Sequence, residues 1–310
     1  MWIIILLLLI AFILWNTTLI GYRDKQTQRL QTDESKVFCE MARSITYKQG
    51  SNTAILLVHG FPSTPAMYTY SAKRFHDAGF DVYSPLMPGF GTDPKDLEQT
   101  TFTQWFDFIC RYYEDLRSKY ETLFVLGTSM GGLMTLKLGE HYCNSDKEPD
   151  KLVTIAAPVV YNSFREGIFT DKRQYIARTL ALFKPSINVR IITENSKGED
   201  GSDQWYGYGG TFIRPGLSLV HAMPSVRKNL GSITCPLFSI HDVNDRVIPF
   251  KNLKIIEREQ KSPNFRSLVT TMGDFNHGRH SLLSYHSIQA SLTDTILDFL
   301  QNKENSDAQT

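Results

Sequence analysis

Residues Gly127-Thr128-Ser129-Met130-Gly131 read G-x-S-x-G and join an apolar run, Leu123-Phe124-Val125-Leu126, to a helix-forming stretch from Leu133 to Tyr142. No other segment constrains the fold as strongly. A strand that turns into a helix this abruptly needs a tight backbone, and the two glycines leave room for it and for neighbouring elements. A serine on such a turn points its hydroxyl into open space, the arrangement of a nucleophile elbow. A Gly-rich strand-to-helix turn with an ordinary capping serine is the competing reading. What separates them is whether the rest of the chain offers partners for a nucleophile.

The surrounding pattern is that of an α/β protein. Ala54-Ile55-Leu56-Leu57-Val58 is continuously apolar, as expected of a strand covered on both faces. Helical sequence from Met67 to Ala78, a short strand from Asp81 to Ser84, and a helix from Phe102 to Tyr120 follow. Leu152 to Ala156, Pro236 to Ile240 and Ser267 to Thr271 are further strands, and a helix over about Ile288 to Leu300 closes the pattern. Strands alternating with helices imply a doubly wound, mostly parallel sheet. From Pro158 to about Ile233 the alternation breaks, and a Gly-rich patch runs from Gly198 to Gly210. This segment is expected to be a cap inserted at about 159–232, the alternative being an irregular surface excursion.

The N-terminus differs in kind. Trp2 to Trp15 is unbroken apolar sequence, and continuing to Ile20 reaches roughly the length that crosses a bilayer. Trp2, Trp15 and Tyr22 are placed to act as interfacial anchors. A cleaved signal peptide is the alternative, weakened by the lack of a preceding basic residue and of a clear small-x-small cleavage site. The expected organisation is a transmembrane helix anchoring the chain at 1–22, a linker at 23–44, an α/β domain at 45–302 and a polar tail at 303–310. Arg23, Lys25 and Arg29 follow the span, so the positive-inside tendency puts the catalytic domain in the cytoplasm. Cys39, Cys110, Cys143 and Cys235 match no metal or redox spacing; buried free thiols are expected, with a bridge left open.

A net charge of +1 gives no reason to expect nucleic acid as a partner. Neither G-x-G-x-x-G nor a Walker pattern is present, and no cofactor or metal is expected. A nucleophilic serine needs a base and a carboxylate to orient it. Asp245, in the run His241-Asp242-Val243-Asn244-Asp245, is the preferred acid, with Asp242 the alternative and a turn former. His241 is read as packing at the strand end. Two histidines compete for the base: His280 is preferred, and His277 lies closer to the strand. Oxyanion donors are expected from the backbone N–H of Met130, which follows the serine, and of Phe61 in the loop His59-Gly60-Phe61.

With these residues in view, the chain resembles the α/β-hydrolase family. The resemblance rests on His59-Gly60-Phe61 with Ser63-Thr64-Pro65, on Pro88-Gly89-Phe90-Gly91, on the Gly127-to-Gly132 elbow and on the Asp245-to-Pro249 segment. Within the family it is similar to bacterial carboxylesterases and monoacylglycerol lipases, over about residues 50 to 300. The resemblance implies Ser129, Asp245 and His280 as catalytic residues, Phe61 and Met130 as oxyanion donors, and a small cap over an apolar acyl pocket. The cap segment is longer than in compact esterases, and the apolar N-terminus lies outside the shared pattern. The function implied is hydrolysis of small acyl or lipid esters through an acyl-enzyme. A thioesterase, acyltransferase or amidase on the same fold is the alternative; a non-catalytic binding member is a third.

Overall fold

A computed structural model describes residues 1–301 apart from 164, 194–199, 202–204, 274 and 276. The tail expected at 303–310 lies outside the described residues, as do 198, 199 and 202–204 of the Gly-rich patch. The chain begins with α1 (Trp2–Thr17). The first part of the main domain then runs β1 (Ile45–Tyr47), β2 (Thr53–Val58), α2 (Thr69–Asp77), β3 (Asp81–Ser84), α3 (Pro94–Glu98), α4 (Phe102–Arg117), β4 (Thr122–Thr128), α5 (Met130–Tyr142) and β5 (Lys151–Ile155). Between β5 and the next sheet strand come β6 (Asn162–Ser163), β7 (Ile168–Phe169), α6 (Gln174–Leu180), β8 (Ser186–Ile192), β9 (Gly207–Phe212) and α7 (Ile213–Asn229). The domain closes with β10 (Leu237–Asp242), α8 (Lys251–Glu259), β11 (Phe265–Thr270) and α9 (Gln289–Leu300).

The sheet has seven strands in the order β1-β3-β2-β4-β5-β10-β11. All pairs are parallel except β1 with β3. Alternate residues of each strand feed opposite faces, which explains the continuous apolar runs. In β2, Leu56 and Val58 pack with α4 and α5 side chains such as Trp105 and Leu133. Ile55 and Leu57 pack on the other face with Phe75 of α2 and Ile296 of α9. From β2 the chain moves one way to β3, then crosses back to place β4 on β2's other side. The carboxyl ends of β2 and β4 therefore flank a topological switch point, where open α/β sheets form their crevice. Val58 pairs with Gly127, so the loops after β2 and β4 leave the sheet side by side.

The segment between β5 and β10 leaves the sheet. It contains two small antiparallel pairs, β6–β7 and β8–β9, with α6 and α7. An ion-pair cluster ties it to α8: Arg227 lies 2.5 Å from Glu166 and 2.6 Å from Glu259. The region 23–44 lies along the domain: Phe38 N–H donates to Gly91 O, and Val37 and Phe38 pack on the core.

The apolar N-terminus requires a correction. No helix among the described residues is long and apolar enough to cross a membrane. With 16 residues at about 1.5 Å each, α1 spans about 24 Å, short of the roughly 30 Å hydrocarbon core. The structure thus does not support the transmembrane helix and membrane anchor expected at residues 1–22. The cause is Asn16, which the sequence count carried into the span. Its side chain is buried against the segment inserted between β5 and β10, where its Oδ1 accepts from Thr179 N–H at 3.0 Å. Its Nδ2 donates to Phe12 O and Thr179 Oγ1, each at 3.0 Å. Arg178 lies 4.4 Å over the Trp15 ring and donates to Trp15 O and Ile20 O. The helix stops at Thr17, and Leu19 takes a positive φ of 52°.

Candidate active site

Ser129 sits between β4 and α5 with φ 57° and ψ −121°, a conformation L-residues rarely adopt. Such a backbone stores roughly 1–3 kcal/mol and persists only where the surroundings over-determine it. Here Ser129 N–H donates to Ile155 O at 2.8 Å, and Leu133 N–H donates to Ser129 O at 3.0 Å. The glycines are needed for close approach. A Cβ on Gly131 would stand 1.9 Å from Val58 O, and one on Gly127 would stand 2.2 Å from Gly131 O. The elbow is thereby pressed against the end of β2.

The loop leaving β2 lies on the serine. A Cβ on Gly60 would be 3.2 Å from that of Ser129 and 3.9 Å from its hydroxyl oxygen, so the stretch leading into Phe61 passes against the serine. His59 holds this loop. Its Nδ1–H donates to Gly60 O at 3.1 Å, and its Nε2 accepts from Met87 N–H at 3.2 Å, bonds that require the neutral ring. Burial lowers its pKa to about 4, against a smaller raising effect of the Gly60 bond. Phe61 itself packs against Phe90, Trp105 and Phe212. The backbone N–H groups of Phe61 and Met130 donate to no other group among the described residues. Met130 is the first residue of α5, where backbone N–H groups have no partner within the helix.

Asp245 and His280 meet at the same end of the sheet. His280 Nδ1–H donates to Asp245 Oδ2 at 2.7 Å, which leaves Nε2 as the free ring nitrogen. The other carboxylate oxygen accepts from Val247 N–H at 2.7 Å and Ile248 N–H at 2.9 Å. The carboxylate is fully buried. Burial works to raise its pKa, but the neighbouring His280 and hydrogen bonds from His241 and His280 outweigh it, holding Asp245 well below the usual carboxylate range. Asp242 is spent elsewhere, accepting from Asn244 N–H, Thr270 Oγ1 and Met272 N–H. His241, read from sequence as strand-end packing, also touches the acid: its Nε2 lies 2.9 Å from Ile248 O and 3.3 Å from Asp245 Oδ2. His277 does not approach Asp245; it pairs with Asp200 at 3.3 Å.

Ser129 and His280 line one cavity of about 500 Å³. Its wall is largely apolar, with Phe61, Met67, Val247 and Tyr285 from the main domain and Ile192 and Trp205 from the inserted segment. Arg190 adds a cation from β8. No direct Ser129–His280 hydrogen bond forms among the described residues, and such bonds commonly tighten only with substrate in place. Sequence reasoning missed Asp200, Arg190 and Ile192. They lie on an insertion whose spacing carries no motif.

An elbow serine, a carboxylate-oriented histidine and unpartnered N–H groups at the switch point of a mostly parallel sheet define a serine hydrolase of the α/β-hydrolase type. A family model described as "Serine aminopeptidase, S33" matches residues 49–284, and the chain belongs to this α/β-hydrolase family. It is 31% identical over 212 residues to a thermostable monoacylglycerol lipase of Bacillus sp. (strain H-257), covering 68% of this chain and 77% of the relative. It is 27% identical over 218 residues to a carboxylesterase of Bacillus subtilis (strain 168), covering 70% and 81%. Among solved structures it is similar to one reported for LipS and LipT, two metagenome-derived lipolytic enzymes. That match has a TM-score of 0.68 at 20% identity, covering 85% of this chain and 98% of the other.

Proposed function

We propose that the chain hydrolyses small acyl or lipid esters of carboxylic acids, in the manner of a carboxylesterase or monoacylglycerol lipase, through an acyl-enzyme. The observation that carries this reading is the 2.7 Å bond from His280 Nδ1 to a buried, ionised Asp245 behind it, with His280 lining the same cavity as Ser129. Ser129 Oγ attacks the ester carbonyl as His280 Nε2 takes its proton. The oxyanion of the tetrahedral intermediate accepts from Phe61 N–H and Met130 N–H, each such donor being worth about 2.7–4 kcal/mol of barrier. His280 then passes the proton to the leaving alcohol. Water repeats the sequence on the acyl-enzyme and releases the acid. Asp245 keeps the proton of neutral His280 on Nδ1 and stabilises the imidazolium that forms. The apolar cavity wall and the lipolytic relatives support an acyl chain as the group bound.

A fluorophosphonate label followed by a p-nitrophenyl ester chain-length series tests the nucleophile and measures the pocket together. Covalent labelling lost in Ser129→Ala, with hydrolysis lost in parallel, is the expected result. Full hydrolysis by Ser129→Ala removes the catalytic reading. Product analysis with alcohol and amine acceptors separates hydrolysis from acyl transfer, and an amide substrate separates an esterase from an amidase. The apolar side chains exposed along and around α1 support one more element, contact of this helix with a lipid surface where acyl substrates concentrate. Co-sedimentation with phosphatidylcholine vesicles that does not depend on residues 2–15 refutes it.

A further inference from the structure

The inserted segment is clasped to the stretch of chain around His280. Asp200 Oδ1 accepts from Ser287 N–H and its Oδ2 from the Ser287 hydroxyl, both at 2.5 Å. Asp200 O accepts from His286 N–H at 3.0 Å. A Cβ on Gly201 would lie 2.8 Å from Ser284 O, so the two backbones are in contact. His277 joins the same carboxylate, with Nε2 3.3 Å from Asp200 Oδ2. Its Nδ1 accepts from Arg279 N–H at 3.1 Å, which assigns the ring proton to Nε2, facing Asp200. The ring is stacked on Tyr285 at 3.7 Å between centroids and on Phe275 at 5.4 Å.

Arg279 is the residue immediately before His280, and it has a positive φ of 51°. A non-glycine residue in the left-handed region must be held there. Bonds placed to do this include Arg279 N–H to His277 Nδ1, and Arg279 Nε to Gly273 O at 2.9 Å. On the other side, Gly278 O accepts from Arg246 N–H, in the loop that carries Asp245. The peptide leading into His280 is thus set by the acid loop and by His277, and His277 is set by Asp200.

We propose that His277 is a positioning residue for His280, and that Asp200 is the grip through which the inserted cap sets it. Seating of the cap and alignment of the base are then one event. The proposal rests on His280 being the base. Releasing Arg279 lets its backbone relax towards negative φ and swings the His280 ring, and a displacement of about 1 Å at a reacting group lowers rate by about 10²-fold.

The test measures kcat, KM and fluorophosphonate-titrated active sites for His277→Ala, His277→Asn, Asp200→Ala and the Ala double variant, with His280→Ala alongside. Expected is a fall in kcat per titrated site of about 10- to 100-fold in His277→Ala, with KM little changed. His277→Asn, whose Oδ1 can replace Nδ1 as acceptor for Arg279 N–H, recovers most of that loss. The double variant is no worse than His277→Ala alone, because both act through one connection. A purely structural role would lower the melting temperature and the number of active sites, leaving kcat per site unchanged. That outcome, additive effects, or no recovery in His277→Asn overturns the proposal. Should His277→Ala fail to fold, His277→Asn and Asp200→Ala carry the test: a fall in kcat per site larger in Asp200→Ala×His277→Asn than in either alone overturns it. Full activity in His280→Ala instead refutes the reading of the base.

Discussion

Asp245→Asn changes one charge and almost no shape, and the structure dictates how the new amide must lie. Val247 N–H and Ile248 N–H both converge on one side-chain oxygen, at 2.7 and 2.9 Å. Only the amide oxygen can accept from them, so the NH₂ group turns to face His280. His280 Nδ1 then has to accept a hydrogen bond that it now donates, which moves the ring proton to Nε2. The nitrogen that should take the proton of Ser129 no longer has a lone pair to offer. A reversal of this kind lowers kcat by about 10⁴-fold, ~5.4 kcal/mol of barrier. The assay is kcat on a p-nitrophenyl ester per titrated site, with a thermal melt to show that the variant is folded. A folded Asp245→Asn enzyme within tenfold of wild type refutes the argument. So does an equal loss of kcat in Asp242→Asn, because Asp242 is consumed by Asn244, Thr270 and Met272. The pKa direction supplies a second check. The pKa of Asp245 is lowered in the fold, so its contribution to stability is fully present above the ordinary carboxylate range. That contribution is lost only as pH falls through the depressed folded value. Asp245 therefore stays ionised well below the ordinary carboxylate range.

Two further outcomes follow from the elements around the serine. His59 is fully buried with its pKa lowered from 6.5 to about 4, so the unfolded chain takes up a proton in that window while the fold does not. Its stabilisation is present above about pH 6.5 and declines by about 3 kcal/mol as pH falls to 4. Denaturant melts at pH 7.5 and 5 should show a flatter dependence in His59→Gln, and an unchanged slope contradicts the assignment. At the elbow, Ser129→Gly removes the strain of a positive φ that Ser129→Ala retains, so the glycine variant should be inactive yet about 1 kcal/mol more stable than the alanine variant. Equal stability of the two argues against strain at this turn.

Much of the architecture is legible in the residues. The runs at β2, β4, β5 and β10 are apolar at successive positions because both faces of the sheet are covered, and that signal survives without any knowledge of neighbours. The edge is weaker: β1 has only three residues and was absorbed into an unassigned start of the domain. Helix α8 carried no assignment either. It buries Leu253, Ile255 and Ile256 on one face, but it is nine residues long and dominated by charge. At the N-terminus, counting hydropathy treated Asn16 as one polar residue within a span. Burial of its amide against Thr179 is a long-range event that no local window registers.

What the sequence determined by itself is chemistry bound to local geometry. A serine with glycines two residues before and after it between a strand and a helix, a candidate oxyanion loop after an early strand, and acid and base candidates in later loops all follow from short-range sterics and chain order. Tertiary structure decided the pairing. Asp242 and Asp245 lie three residues apart, as do His277 and His280, so local sequence ranks Asp245 and His280 first without excluding their neighbours. Only the placement of β10 against β11 and the path of the loops beyond them bring His280 to Asp245. The return of the inserted segment to this end of the sheet then brings Asp200 to His277. Hydrogen bonds act over about 3 Å, so residues distant in sequence find their partners only when the whole fold has closed.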